Sequence, residues 1–421
     1  MRSDDRLLDV PVAPFELTEL RAENQRLNIS EYSTGRTVLK SRPLALFVEL
    51  TQNCNLRCPM CRFGEKYDPA LNMEEEVFTR LTEELFPYAH LVDVRGWGES
   101  TMLPRFGEFV ARALAHRVQL RLVTNAMVNR RPVWDMMMRA HGIVMVSCDA
   151  ATPELFAKLR AGGTLDRLTG TVRSLVEARN RHDAPRGSVS LNTIASIDNL
   201  EELPDIVRLA ARLDVASVVV HPIVTGLDDP AHLRNDLART QQAYEETAEA
   251  GRAEGVLVQI GAAPDPSLAL PDMVRRPACM HPWSYAYVRY DGGVGFCDHL
   301  IGGDGEFTLG SLRDSSFEEI WNGEKWQALR AAHLSGDIPD EYLPCRYTYA
   351  HRYIDFEHLV HPDRKSGLVT SETHGKVTHR RDPELVPWAP WKIEELGTGG
   401  TGGVLIPTSA LTEGLRAERG A

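Results

Sequence analysis

Between Leu44 and Thr225, short apolar runs alternate with segments of helical periodicity, about six times over. That order demands a parallel sheet with crossover helices, because parallel neighbours cannot be joined by tight turns. The predicted strands are Leu44–Leu50, Leu91–Arg95, Val118–Thr124, Gly142–Cys148, Val189–Ala195 and Ala216–His221. Their near-continuous hydrophobicity suits strands buried on both faces. Glu49 is the one charge in the first of them. Between the strands, Asn72 and Glu75 read as a capping box for a helix with Val77, Phe78, Leu81 and Leu85 on one face. Helices are also expected near Phe106–Ala115, at Pro132–Ala140, after the Thr152-Pro153 start signal, and at Leu200–Leu213.

Chemistry-bearing side chains collect at one place in this pattern, the C-terminal ends of the strands. Cys54 to Cys61, Gly96 to Glu99, Thr124 and Asn125, Ser147 to Asp149, Asn192 and His221 all fall there. In parallel βα architectures that end carries the active residues. The first strand runs into Cys54, Cys58 and Cys61, spaced C-x3-C-x2-C, with no further cysteine before Cys148. Three thiolates on one loop hold three irons of a [4Fe–4S] cluster and leave the fourth iron open to a ligand. The competing readings are a structural zinc site with a fourth ligand from elsewhere and a chance grouping of structural thiols.

The strand followed by C-x3-C-x2-C resembles the signature loop of the radical S-adenosylmethionine (SAM) enzymes. The resemblance implies a partial (β/α)6 barrel, in which the open iron chelates SAM and cluster reduction yields a 5′-deoxyadenosyl radical. It also implies an external electron donor of flavodoxin or ferredoxin type. Met60 takes the place of the residue that rests on the adenine. Gly96, Gly98 and Glu99 resemble the element that receives the SAM ammonium, with Trp97 replacing a glycine. Ser147 resembles the strand-end serine at the ribose or carboxylate, and Arg160 the basic residue that pairs with that carboxylate. Thr124, Asn125 and Asn192 complete the expected cofactor contacts; an ordinary turn or cap amide is the other reading of Asn192.

A long polar helix at Pro230–Glu254 and a strand at Gly255–Ile260 precede a second cysteine group, Cys279, Cys297 and Cys345. Tyr285–Tyr290 and Val294–Cys297 read as a hairpin about Asp291-Gly292-Gly293. Ser316 and Glu319 form a capping box for a following helix. This order, with LRDSSFEEIWNGEKWQALR, resembles the small α+β twitch or SPASM extension that holds an auxiliary [4Fe–4S] cluster. The pattern departs at its end, where Thr348 stands in place of a further cysteine. The fourth ligand position is therefore open, filled by substrate, or taken by another side chain such as His299 or His351. A zinc site of three cysteines and a histidine is the alternative.

The expected units are an N-terminal helix, roughly Glu16–Leu27, and connector (1–42), the barrel (43–226), a helical connector with a last strand (227–275), the auxiliary domain (276–360) and a polar tail (361–421). The tail contains GTGGTGG, and Trp388 and Trp391 are candidates for pinning it to the core. With 47 basic and 59 acidic residues the net charge is −12, which disfavours nucleic acid and mildly favours a small cationic substrate. No apolar run has membrane-spanning length and no signal peptide is visible. Seven cysteines, six of them in two triplets, argue for a reducing cytoplasm rather than a disulfide framework.

Among single-cluster relatives the chain looks most similar to dehydrogenases of aminocyclitol antibiotic pathways. That resemblance implies oxidation of a secondary alcohol in an aminocyclitol or sugar-like substrate. His221 is then the candidate base and the auxiliary cluster the electron acceptor. An epimerase is the first alternative, with Cys148 as hydrogen-atom donor rather than a packed thiol. A peptide-modifying enzyme is the second. The segment 1–42 is too short for a leader-binding winged helix, although a separate protein can supply one. A non-catalytic iron–sulfur or zinc protein is the rival of a different class.

Overall fold

A computed structural model describes residues 10–61, 67–223, 229–260, 281–297, 308–335 and 339. Its elements in chain order are α1 (Glu19–Ser33), β1 (Ala45–Val48), α2 (Glu75–Glu84), β2 (Leu91–Val94), α3 (Phe106–Ala115), β3 (Gln119–Thr124) and α4 (Arg131–Arg139). There follow β4 (Ile143–Ser147), α5 (Pro153–Leu159), α6 (Leu165–Arg181), β5 (Val189–Ala195), α7 (Leu203–Arg212), β6 (Ser217–Pro222), α8 (Leu237–Glu254) and β7 (Leu257–Ile260). Last come α9 (His281–Ser284), β8 (Tyr285–Val288), β9 (Gly293–Gly295), β10 (Gly310–Ser311), α10 (Phe317–Trp321) and α11 (Glu324–Ser335). Among the described residues no helix is long and apolar enough to cross a membrane.

The strands form one sheet in the order β10-β9-β8-β1-β2-β3-β4-β5-β6-β7. β1 to β7 run parallel, as the alternation of the sequence requires. This is the open barrel of an α/β protein, with a small C-terminal α+β unit on one edge. Alternation along each strand sends one set of side chains under the helices and the other into the interior. Leu46, Val48, Val92, Leu120, Leu122, Val144, Val146, Leu191, Val218 and Val220 make up the first set and are fully or almost fully buried. Phe47, Asp93, Arg121, Met145, Ser147, Ser190, Asn192, Val219 and His221 share the opposite face, because the register aligns them across successive strands.

The hairpin about Gly292 is present, and that glycine adopts φ 85°, which the turn requires. Its placement was not foreseeable: β8 lies beside β1 in parallel, with Ala45 opposite Tyr285 and Val48 opposite Val288. The capping box at Ser316 and Glu319 is complete, with each side chain bonded to the other's backbone. Arg330 of α11 lies between Trp321 and Trp326, 4.4 and 5.2 Å from their ring centres, and donates to the carbonyls of Pro282, Thr37 and Trp321. At the N-terminal ends of the strands, Arg21 of α1 donates to the carbonyls of Ala89, Phe86 and His116 and fastens α1 across that end.

Three helix boundaries differ from expectation. α1 starts later, capped by Thr18. α8 starts at Leu237 after the Asp236 cap, so the stretch from Pro230 is not one continuous helix. α2 starts after Glu74, and Asn72 does not cap it. The Asn72 side chain turns instead to the cysteine loop, where it accepts from Thr51 Oγ1 and Asn53 Nδ2 at 2.7 and 2.8 Å.

Candidate functional site

The loop that follows β1 is held by short polar links. Besides the two bonds to Asn72, Asn53 Nδ2 donates to the Asp68 carbonyl and Asn53 N to Thr51 Oγ1. Arg57 N donates to Ala161 O at 2.8 Å, docking the loop on the turn after α5. Cys54 Sγ accepts from Leu56 N at 3.5 Å and lies 3.7 Å from Asn125 Nδ2. Cys58 is buried, whereas Cys54, Cys61 and Met60 are half-buried against the core. Burial pushes the Cys54 and Cys58 thiols above the usual range; the Leu56 amide partly offsets this at Cys54, and the Arg160 guanidinium at Cys58. Iron binding has to displace those protons.

Gly96 to Glu99 packs directly on this loop. A Cβ at Gly98 would fall closer than 3.0 Å to the Thr51 and Asn53 carbonyl oxygens, and one at Gly96 would overlap the Glu49 side chain. Glu99 N donates to Asn53 O at 2.8 Å. Gly98→Ala is therefore expected to push the two loops apart, with a cost of about 1–3 kcal/mol in thermal or urea unfolding and a loss of cluster uptake.

The Glu99 carboxylate is engaged by the protein itself. Oε1 accepts from Thr101 N, Thr101 Oγ1 and Thr124 Oγ1, at 3.2, 2.5 and 2.8 Å, and Oε2 accepts from Asn125 N at 2.6 Å. Burial raises its pKa, and those donors pull it back. The Thr124 hydroxyl thus serves the neighbouring loop, and Asn125 bridges to Asn55 Oδ1 at 2.8 Å.

Glu49, just past β1, is 1% exposed and accepts from Trp97 N at 2.9 Å. Burial raises its pKa to about 7, against the Trp97 amide and the attraction of Arg289. A carboxyl raised in the folded state favours folding below the ordinary carboxyl range and loses that contribution as pH climbs toward 7. Glu49→Gln is thus expected to gain stability relative to the parent between pH 5 and pH 8, by up to about 3 kcal/mol. Urea denaturation at the two pH values measures it.

On the interior face, Ser147 and Asn192 are in register, with Asn192 Oδ1 buried and without a hydrogen-bond partner. His221 lies on the same face, opposite Ile194. Arg160, at the end of α5, pairs with Asp149, Nε to Oδ2 at 2.5 Å. Burial opposes its charge, but the attraction of Asp149 and Cys58 outweighs that and raises its pKa.

Cys148 is not brought to the site. It faces the helix side, is fully buried and directs its thiol at the Ala150 carbonyl, 3.4 Å away. Burial pushes its pKa up to about 12, so this buried thiol stays protonated. Cys297 follows β9 and is 1% exposed. Cys279, Cys345, His299, His351, Trp388 and Trp391 lie outside the described residues, and with them the question of the second cluster's fourth ligand.

Sequence reasoning missed a charged group deeper on the interior face. Asp93 Oδ2 accepts from Arg95 Nε and Nη2, at 2.9 and 2.6 Å, and from Arg121 Nε at 2.7 Å. The Arg95 guanidinium covers the Phe47 ring, which stacks on Tyr287. The signal was available: a charge inside an apolar strand, as in Leu-Val-Asp-Val, marks a side chain that faces away from the helices.

Among the described residues no three His, Cys, Asp or Glu side chains are gathered around a point as a single ion requires. The donor set of this loop is three soft thiols, with two amide donors at the Cys54 sulfur, which fits a cluster with one open iron better than tetrahedral zinc.

Comparison with known proteins agrees with this chemistry. Residues 48–210 match the radical SAM superfamily, and residues 279–348 match the SPASM iron–sulfur cluster-binding domain. A protein of Pyrococcus furiosus, the tungsten-containing aldehyde ferredoxin oxidoreductase cofactor-modifying protein, is 22% identical over 68% of this chain and 82% of its own. The PqqA peptide cyclase of Granulibacter bethesdensis is 23% identical over 67% of this chain and 74% of its own. Streptococcus suis SuiB bound to SAM superposes with a TM-score of 0.57 at 14% identity, covering 73% of this chain and 72% of that one. A [4Fe–4S] cluster with SAM, and auxiliary iron–sulfur chemistry in the C-terminal unit, follow from the two domains.

Proposed function

Since the chain carries a radical SAM domain followed by a SPASM domain, we propose that it modifies a precursor peptide by radical chemistry. The observation that carries this reading is the similarity to a peptide cyclase over two-thirds of the chain. It replaces the expected aminocyclitol dehydrogenase. That expectation rested on a short N-terminal segment and a single auxiliary site, and neither feature selects a substrate. The weak preference for a cationic small molecule falls with it, since total charge says nothing about the interior, where Arg95 and Arg121 converge on Asp93.

The bound cofactors supply a 5′-deoxyadenosyl radical when the cluster is reduced by an external donor of flavodoxin or ferredoxin type. The chain's own residues hold and orient. In this reading Cys54, Cys58 and Cys61 would ligate the cluster, and Met60 would contact the adenine. The Gly96–Glu99 segment receives the ammonium, with the Glu99 carboxylate fixing the loop through Thr101, Thr124 and Asn125. Ser147 and the unpartnered Asn192 Oδ1 offer polar contacts from adjacent strands. Arg160, paired to Asp149, would hold the SAM carboxylate. His221 is the proton acceptor on the interior face. Cys279, Cys297 and Cys345 hold the auxiliary cluster.

The test is anaerobic incubation of the reconstituted protein with SAM, dithionite and a panel of candidate precursor peptides. Peptide-dependent deoxyadenosine and a changed peptide mass are expected. If the peptide's mass is unchanged while an aminocyclitol is oxidised, the small-molecule reading returns.

A further inference from the structure

Asp149 and Arg160 form a charge pair whose position the cofactor contacts alone do not require. Asp149 is fully buried at the end of β4. Its Oδ1 accepts from Ile194 N on β5 at 2.8 Å, which leaves Oδ2 for Arg160 Nε. The Asp149 carbonyl in turn accepts from Asn199 Nδ2 at 2.9 Å, so backbone and side chain are both fixed. Arg160 opens the turn that docks on the cysteine loop: Ala161 O receives Arg57 N, and Gly162 and Gly163 pack against Asn55 and Leu56. The guanidinium is 14% exposed and lies beside Cys58.

We propose that Asp149 is a positioning residue and that the Asp149–Arg160 pair sets the reduction potential of the cluster carried by Cys54, Cys58 and Cys61. This rests on the assignment of those three thiols as its ligands. The argument is electrostatic. Adding one electron to the cluster adds one negative charge next to Cys58, in a site shielded from water where charges act strongly. A fixed guanidinium there favours the reduced form, and the carboxylate behind it tempers that effect. The two partners therefore push the potential in opposite directions. Damage to the fold has no reason to do so.

The experiment is an EPR-monitored redox titration of the full reconstituted chain without SAM. Dithionite supplies the single electron that takes [4Fe–4S]2+ to [4Fe–4S]1+. The Cys54→Ala/Cys58→Ala/Cys61→Ala variant identifies which signal belongs to this cluster. In Arg160→Gln the buried Asp149 charge is left alone, and the midpoint should fall by a tenfold change in the reduction equilibrium, about 59 mV for one electron. Arg160→Lys keeps the charge and should restore most of the shift. In Asp149→Asn, which keeps an acceptor for Ile194 N, the midpoint should rise. Unchanged midpoints, or shifts of the same sign in Arg160→Gln and Asp149→Asn, overturn the inference. If the triple variant keeps every iron signal, the ligand assignment itself fails, which is a separate result. Should Arg160→Gln lose the cluster, Asp149→Asn still decides: a midpoint that does not rise overturns the inference.

Discussion

Replacing Cys54, Cys58 and Cys61 together with alanine is expected to abolish deoxyadenosine formation under reducing, oxygen-free conditions, while about four irons per chain remain. The loop is the only cysteine group at the C-terminal ends of the strands among the described residues, and its Cys54 sulfur already receives amide donors from Leu56 and Asn125. Without the three thiolates no iron is left open for SAM, so the loss should be complete rather than partial. The remaining iron would belong to the SPASM unit, whose buried Cys297 lies beyond β9. Iron analysis and EPR on anaerobically reconstituted protein measure both halves. Deoxyadenosine formation by the triple variant would remove the loop from the mechanism. Complete loss of iron would make the C-terminal cysteines structural.

Glu99→Leu should be the most damaging single substitution near the site, costing about 3–5 kcal/mol in urea unfolding of the cluster-free chain. The carboxylate collects the Thr101 amide, the Asn125 amide and the Thr101 and Thr124 hydroxyls in a region closed to water. A leucine buries the same volume but strands all of those donors, and an unmet buried donor costs about 1–3 kcal/mol. Glu99→Gln retains one acceptor oxygen and turns an NH2 toward the Asn125 amide, so it should cost less than half as much. An equal loss in the two variants would show that volume, not hydrogen bonding, decides at this position.

The sequence made the barrel legible because each interior strand is an apolar run bounded by turn or helix signals, and each run found its parallel neighbour in order. The cysteine loop was legible through spacing alone, and Ser147, Asn192 and His221 through strand parity. Other features depended on partners far away in the chain. Asn72 looked like a helix cap because the local pattern S/T/D/N-x-x-E is a capping signal. Its side chain instead met Thr51 and Asn53, some twenty residues upstream. Arg160 was legible as a cation but not as the partner of Asp149. Glu99 was legible as an acid, yet its carboxylate turned out to serve four donors of the protein itself. The docking of β8 on β1 could not be read at all, since nothing in either strand names its neighbour.

That docking has a consequence for any rearrangement of the chain. β1, which leads into the cysteine loop, has β2 on one side and β8 on the other. A protein ending after β7 would leave a full row of β1 amides and carbonyls unpaired, with the Phe47 ring beside them stripped of Tyr287 and Tyr285. Such an edge is a template for strands from other molecules. The C-terminal unit is therefore also the seal on the strand that launches the chemistry, and a swap of that unit between relatives has to carry β8 with it to leave a monomer that stays in solution.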